Sequence, residues 1–230
     1  MMSTSSSSAA STTYVPPPLH ERLGRAGRAL VSLALDPTRL EEVFVIGEAL
    51  NAHRVPELLA HLEADPATRR LLEERPRIDS AHVDFAALER LPDGTLGREY
   101  TRFLKDNGIT PDVFKLPNVG DERLAYVILR ISQTHDLWHV LTGYAPDVTG
   151  EVLLQAFTFA QLRAPSAFAI AAMGTVRFGW RTPGFFRRLR AAVRGGKATK
   201  KLAAFPWEDR WAEPVAKLRE ELTCPVASLH

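Results

Sequence analysis

From Asp121 to Gly143 the chain reads DERLAYVILRISQTHDLWHVLTG. Leu124, Ile128, Ile131, His135 and Trp138 recur at helical spacing, and the alternation that a strand requires is missing. An aspartate at the front and a glycine at the back are start and stop signals for a helix. The stretch therefore predicts one long helix from Asp121 to near Gly143. A short loop through Pro146 follows, and a second helix is expected to open between Asp147 and Gly150.

Outward from this pair, similar punctuation recurs. Residues 152–176 carry Arg163 as their only charge. Such a length would permit a membrane span. Gln155, Gln161, Arg163, Pro165 and Ser166 interrupt it, however, and a charge with a proline at mid-bilayer is costly. Two shorter buried helices joined near Pro165 are the expectation. Asp36-Pro37, Asp65-Pro66 and Thr110-Pro111 each place a capping side chain before a proline at the first helical position. They predict helices over residues 38–50 and 67–74 and after Thr110. Residues 96–105 read as a helix behind the turn Leu91-Pro92-Asp93-Gly94, and residues 207–222 as an amphipathic one. No stretch reads as a strand, and no internal repeat is evident. The fold class expected is all-α, a single-domain multi-helix bundle over residues 21–230. A serine-rich disordered tail over residues 1–20 precedes it and ends near Pro16-Pro17-Pro18.

Composition fits this frame. The 230 residues are 45% hydrophobic and 24% charged, as in ordinary soluble domains able to bury a core without staples. The single cysteine, Cys224, excludes an internal disulfide framework and a cysteine-based zinc cluster. Metal chemistry would therefore use His, Asp and Glu. No basic residue precedes Arg22 and no apolar signal core opens the chain, which argues against a secretory signal or a mitochondrial presequence. The expected setting is a bacterial cytoplasm. The net charge of +2 conceals a segregation: residues 152–207 hold ten Lys or Arg and no Asp or Glu, leaving 19 basic and 27 acidic residues elsewhere. A basic block behind an apolar stretch suits an anionic surface such as phospholipid headgroups, or a phosphate-bearing ligand; a solvated basic face is the plainer alternative.

Four residues carry the chemistry. His135 and His139 lie four apart on one helix, so their imidazoles share a face with Cβ atoms about 5–6 Å apart. Asp136 is turned about 100° from His135, at 3.6 residues per turn, within the same arc. Glu151 follows twelve positions after His139, and Gly143, Pro146 and Gly150 let the chain reverse between them. Two imidazoles and two carboxylates suit zinc, ferrous iron, manganese or cobalt. Gln155, one turn beyond Glu151, is placed to hydrogen-bond a ligand. Trp138 and Phe157 read as core residues. The remaining histidines do not complete the ligand set of the HD phosphohydrolases, and the spacing is not that of the His-Glu-x-x-His proteases.

The motif His-Asp-x-x-His, eleven residues, then Glu resembles that of the coenzyme Q (ubiquinone) biosynthesis protein 4 family, and all four positions match. DPATRRLLEERPRI (residues 65–78), LPDGTLGREYTRFL (91–104) and WEDRWAEPVAKLREEL (207–222) also look like the family, so the resemblance covers roughly residues 30–222. It departs at Leu137, where an aromatic residue is common, and in the serine-rich tail. The resemblance implies an all-helical homodimer with an apolar lipid-binding cavity. It implies a divalent metal, zinc most often, on His135, Asp136, His139 and Glu151, with these four as the catalytic residues. The implied protein is peripherally membrane-associated and takes a polyprenyl-tailed aromatic substrate. Its activity is the replacement of the C1 carboxyl of a hydroxybenzoate-type ring by hydroxyl. The alternative implied role is a non-catalytic prenyl-lipid scaffold for other ubiquinone biosynthesis enzymes, with a structural metal. No nucleic-acid partner is expected.

Overall fold

A computed structural model describes residues 17–227 except Leu40, Asp65 and residues 118–120. Among these residues the chain forms eleven α-helices: α1 (Leu19–Leu35), α2 (Glu41–Asn51), α3 (Val55–Ala64), α4 (Pro66–Glu74), α5 (Phe85–Glu89), α6 (Leu96–Asp106), α7 (Glu122–Thr142), α8 (Val148–Leu162), α9 (Pro165–Phe178), α10 (Phe185–Ala198) and α11 (Val215–Leu222). The one extended pairing among the described residues is an isolated bridge between Thr95 and Pro214. The all-α expectation holds. Most of the expected tail, the cap at Asp65 and Leu40 lie outside the described residues.

The central pair forms for the reasons written in its punctuation. Asp121 Oδ1 accepts the Arg123 and Leu124 amides at 2.8 and 3.1 Å, capping α7. Gly143 closes that helix at φ 76°, its N–H donating to His139 O. Arg219 of α11 then donates to the Leu141 and Val140 carbonyls at 2.7 and 3.1 Å. A cation thus sits where the helix dipole is negative. Asp147 Oδ1 accepts the Gly150 amide at 2.7 Å and starts α8. The apolar run does divide near Pro165, with α8 ending at Leu162 and α9 starting at Pro165. Gln161 explains the polar interruption. Its side-chain amide donates to the Gly196 and Thr199 carbonyls at 2.6 and 2.9 Å and accepts the Leu202 amide at 3.1 Å, so a fully buried side chain ties α8 to the end of α10.

Two expected helices differ. The segment after Thr110 makes only a 3-10 turn over Pro111–Val113. Residues 207–222 divide into a 3-10 turn (Trp207–Arg210) and α11, because Pro214 has no N–H to continue a helix and serves as the N-cap of α11.

One large core gathers around α7 and α8, including Leu137, Trp138, Leu141, Leu153, Leu154, Phe157 and Trp207. Trp138 meets Phe157 edge-on at 6.3 Å, so both expected core residues are core. Arg130, also on α7, is 2% exposed, and its charge is met internally: it pairs with Glu208 and donates to Phe205 O at 2.7 Å, although its Nε has no hydrogen-bond partner. Two hollows among the described residues are lined by residues other than His135, Asp136, His139 and Glu151. One, of about 460 Å³, is an open hollow on a single helix, lined by Gly27, Arg28, Val31, Ser32 and Leu35. The other, of about 10 Å³, is lined by residues including Leu62, Tyr126 and Arg130. Neither encloses a long apolar tail.

Candidate metal centre

α7 and α8 bring all four expected residues to one place. One ligand atom each of His135, Asp136 and His139 lies within 4.8 Å of the others. Glu151 reaches both imidazoles from the first turn of α8: His135 Nε2 to Oε2 is 3.4 Å and His139 Nε2 to Oε1 is 3.0 Å. The two imidazole rings stand edge to face at 5.0 Å. Gly150 makes this approach possible. A Cβ there would lie 1.9 Å from the Ala145 carbonyl oxygen, so a larger residue would push α8 off the loop that aims Glu151.

Burial grades across the cluster. His139 is 1% exposed at its side chain, whereas His135 is 26% and Glu151 39% exposed. The cluster therefore has a closed floor and an edge open to solvent. His139 Nδ1 lies 2.9 Å from the Tyr144 carbonyl oxygen. That oxygen can only accept, so Nδ1 carries the proton and the lone pair falls on Nε2. Phe103 of α6 stacks on the same ring at 5.3 Å and 20°. Neither contact was legible in the sequence. Tyr144 acts through its backbone, which carries no residue-type signal, and Phe103 comes from a different helix. Gln155, expected to support a ligand, makes no hydrogen bond to the other four among the described residues.

The electrostatics of the cluster are unbalanced. Burial pushes the Asp136 carboxyl above the ordinary carboxylate range, against the pull of His135 and His139. Burial also opposes ionisation of Glu151, but the two imidazoles against its oxygens outweigh this and hold it well below its usual range. For His135, burial disfavours the cation, yet Glu151 and Asp136 raise its pKa above the ordinary value.

The donor set fits a divalent cation on three grounds. Asp136 is buried, and among the described residues it has no hydrogen bond or ion pair, a costly arrangement for a carboxylate left alone. His139 Nε2 is buried without a hydrogen-bond partner, although Glu151 Oε1 is 3.0 Å away. Two ligand atoms each about 2.0–2.2 Å from a shared ion would themselves stand roughly 3 Å apart. Finally, two neutral imidazoles with two carboxylates carry the charge that a divalent ion cancels.

Fold and site together define a class: an all-helical protein with a His-Asp-x-x-His plus Glu cluster at the mouth of a helix hairpin. Comparison with known proteins narrows the class. The family model for the coenzyme Q (ubiquinone) biosynthesis protein Coq4 matches residues 13–227, and the chain belongs to that family. A Xenopus tropicalis relative, ubiquinone biosynthesis protein COQ4 homolog, mitochondrial, is 38% identical over 86% of this chain and 71% of its own length. The Homo sapiens homolog of the same name is 34% identical over 93% of this chain and 81% of its own. The fold also matches a Nostoc punctiforme crystal structure that carries a provisional ubiquinone-biosynthesis designation. There the TM-score is 0.69 and the identity 27%, covering 87% of this chain and 97% of that one.

Proposed function

We propose that this chain is a metal-dependent enzyme of ubiquinone biosynthesis. It would exchange the C1 carboxyl of a polyprenylated hydroxybenzoate-type ring for hydroxyl, with His135, Asp136, His139 and Glu151 as metal ligands. The observation that carries the reading is His139 Nε2, buried without a hydrogen-bond partner 3.0 Å from Glu151 Oε1 and grouped with ligand atoms of His135 and Asp136. Zinc fits the donor set and the family; iron, manganese and cobalt fit the donors equally. A bound divalent ion supplies Lewis-acid stabilisation of negative charge developing on an oxygen ligand.

The chain's own residues set the conditions around that ion. Tyr144 O fixes the His139 tautomer, and Phe103 holds the ring in plane. The half-exposed edge at His135 and Glu151 is where a ring carrying a hydroxyl and a carboxylate would enter. Phe159, two turns along α8 from Glu151, offers an apolar path for a prenyl tail. The exchange releases carbon dioxide and needs an oxidant, molecular oxygen or another acceptor, which these residues do not supply. A substrate of this kind resides in a bilayer, so the protein would work docked on a membrane surface, as a homodimer and beside other enzymes of the pathway.

The test is to incubate metal-loaded protein with a prenylated 4-hydroxybenzoate derivative and follow carbon dioxide release. Release that stops in His139→Ala is the expected result, and release unchanged in that variant contradicts the reading. The competing role, a scaffold with a structural metal, is favoured by a ligand count of four, which can close a tetrahedral ion. The open edge at His135 and Glu151 favours the catalytic reading over it.

A further inference from the structure

We propose that the outward face of α9, continued by the cationic row of α10, is the surface that seats this protein on an anionic phospholipid bilayer. The inference deepens the membrane part of the proposed function and does not depend on the metal centre.

The observations lie on α9, on the 3-10 turn Gly179–Arg181 that follows it, and on α10. Phe168, Ala172, Val176 and Trp180 follow one another at intervals of four, and all four are exposed. Phe168 is 58%, Val176 75% and Trp180 81% exposed. At 1.5 Å per residue the part on α9, from Phe168 to Val176, is about 12 Å long, and Trp180 extends it. Such a contiguous stripe on a soluble protein marks an interaction surface. At its far end Phe186 of α10 packs edge-on against Trp180 at 5.2 Å, widening the tip. At its near end Phe168 meets Phe159 of α8 at 5.3 Å, so the stripe reaches α8.

Charge decides the partner. Arg187, Arg190, Arg194 and Lys197 occupy one exposed face of α10. Among the described residues Arg190, Arg194 and Lys197 have no ion pair, and no Asp or Glu occurs between residues 152 and 207. Arg177 and Arg181 flank the tip. A second copy docked face to face would set two such rows together, and like charges would oppose it. A nucleic acid would satisfy the arginines but not the stripe of Phe, Ala and Val. An anionic bilayer satisfies both: the aromatic tip lies at headgroup depth, and the basic row meets the negative surface. No helix among the described residues is long and apolar enough to cross a membrane, so this contact lies in the plane of the surface.

The experiment uses the full metal-loaded chain with phosphatidylcholine vesicles containing phosphatidylglycerol, against phosphatidylcholine alone. Cosedimentation should be strong only on the anionic vesicles and should weaken with salt. The triple variant Arg190→Glu, Arg194→Glu, Lys197→Glu should lower partitioning by about 30-fold or more. Val176→Ser with Trp180→Ala should lower it about tenfold and remove the tryptophan quenching that brominated lipids produce. Circular dichroism and metal content should not change in either variant, so a failure here leaves the metal reading standing. The proposal is overturned by equal binding to neutral vesicles, or by variants that bind as the parent does. Self-association that replaces vesicle binding and is lost in Trp180→Ala overturns it too, as does binding to RNA without binding to vesicles.

Discussion

The mouth of the α7–α8 hairpin and the α9–α10 face leave their charge unbalanced in opposite ways. At the hairpin, Glu151 meets the two imidazoles, while Asp136 is buried with no hydrogen bond or ion pair among the described residues. On the α9–α10 face, cations line an exposed helix with no acid near in sequence. Arg130, about one and a half turns from His135 on the same α7, shows a charge balanced within the chain, by Glu208 and the Phe205 carbonyl. The difference teaches that an uncompensated charge on a well-packed scaffold specifies a ligand from outside, a metal cation in one place and an anionic surface in the other.

The largest effect should come from converting the balanced case into an unbalanced one. Glu208→Ala leaves the Arg130 guanidinium buried alone and should cost about 3–5 kcal/mol in a urea unfolding experiment. A loss under about 1 kcal/mol would show that buried charge is cheap here and would weaken the contrast. Next, Gly150→Ala forces a methyl onto the Ala145 carbonyl and should cost about 1–3 kcal/mol. Its metal content should fall as well, because Glu151 is displaced. Retained metal at full occupancy would mean Glu151 is dispensable.

A smaller effect with a distinctive sign concerns Asp136. Its folded pKa is raised above the usual 3.8 by burial. In chelated protein the charged carboxylate therefore opposes folding, with a penalty that is absent below 3.8, grows as pH rises through the folded pKa and stays constant above it. Asp136→Asn should raise the Tm of chelated protein at neutral pH, not at pH 3, while abolishing metal binding. A lower Tm at neutral pH would show that the acid is compensated within the chain. Smallest is the acid limb of metal loading. Because Glu151 and Asp136 raise the pKa of His135 above its ordinary value, protons compete with the ion for this ligand, and bound metal should fall as the pH is lowered. A titration of bound metal against pH that stays flat from 8 to 5, in roughly that range, would remove His135 from the ligand set.

Much of this was legible because it rests on local chemistry. Asp121, Gly143, Asp147 and Pro165 are short-range signals, and each marks the boundary it announced. The four site residues were legible because His135, Asp136 and His139 lie within about one turn of α7 and the loop to the first turn of α8, which carries Glu151, is short. What escaped was tertiary. The helix α10 contains Gly195 and Gly196, which weaken helix propensity; Gly196 is there because the Phe157 carbonyl oxygen would lie 2.5 Å from a Cβ at that position. The helix α1, over Leu19–Leu35, lacks a side-chain cap at Pro18 and begins where the tail was expected still to run. The pairing of the α9 stripe with the α10 arginines depends on how two helices turn relative to each other, which no local pattern states.

The most direct measurement is elemental analysis of protein purified without chelator or nickel resin, beside the His139→Ala and Asp136→Asn variants. The expected result is about one divalent metal ion per chain in the parent protein and none in either variant. Parent protein that carries no metal and takes up none on reconstitution, or variants that retain the full amount, would contradict the account.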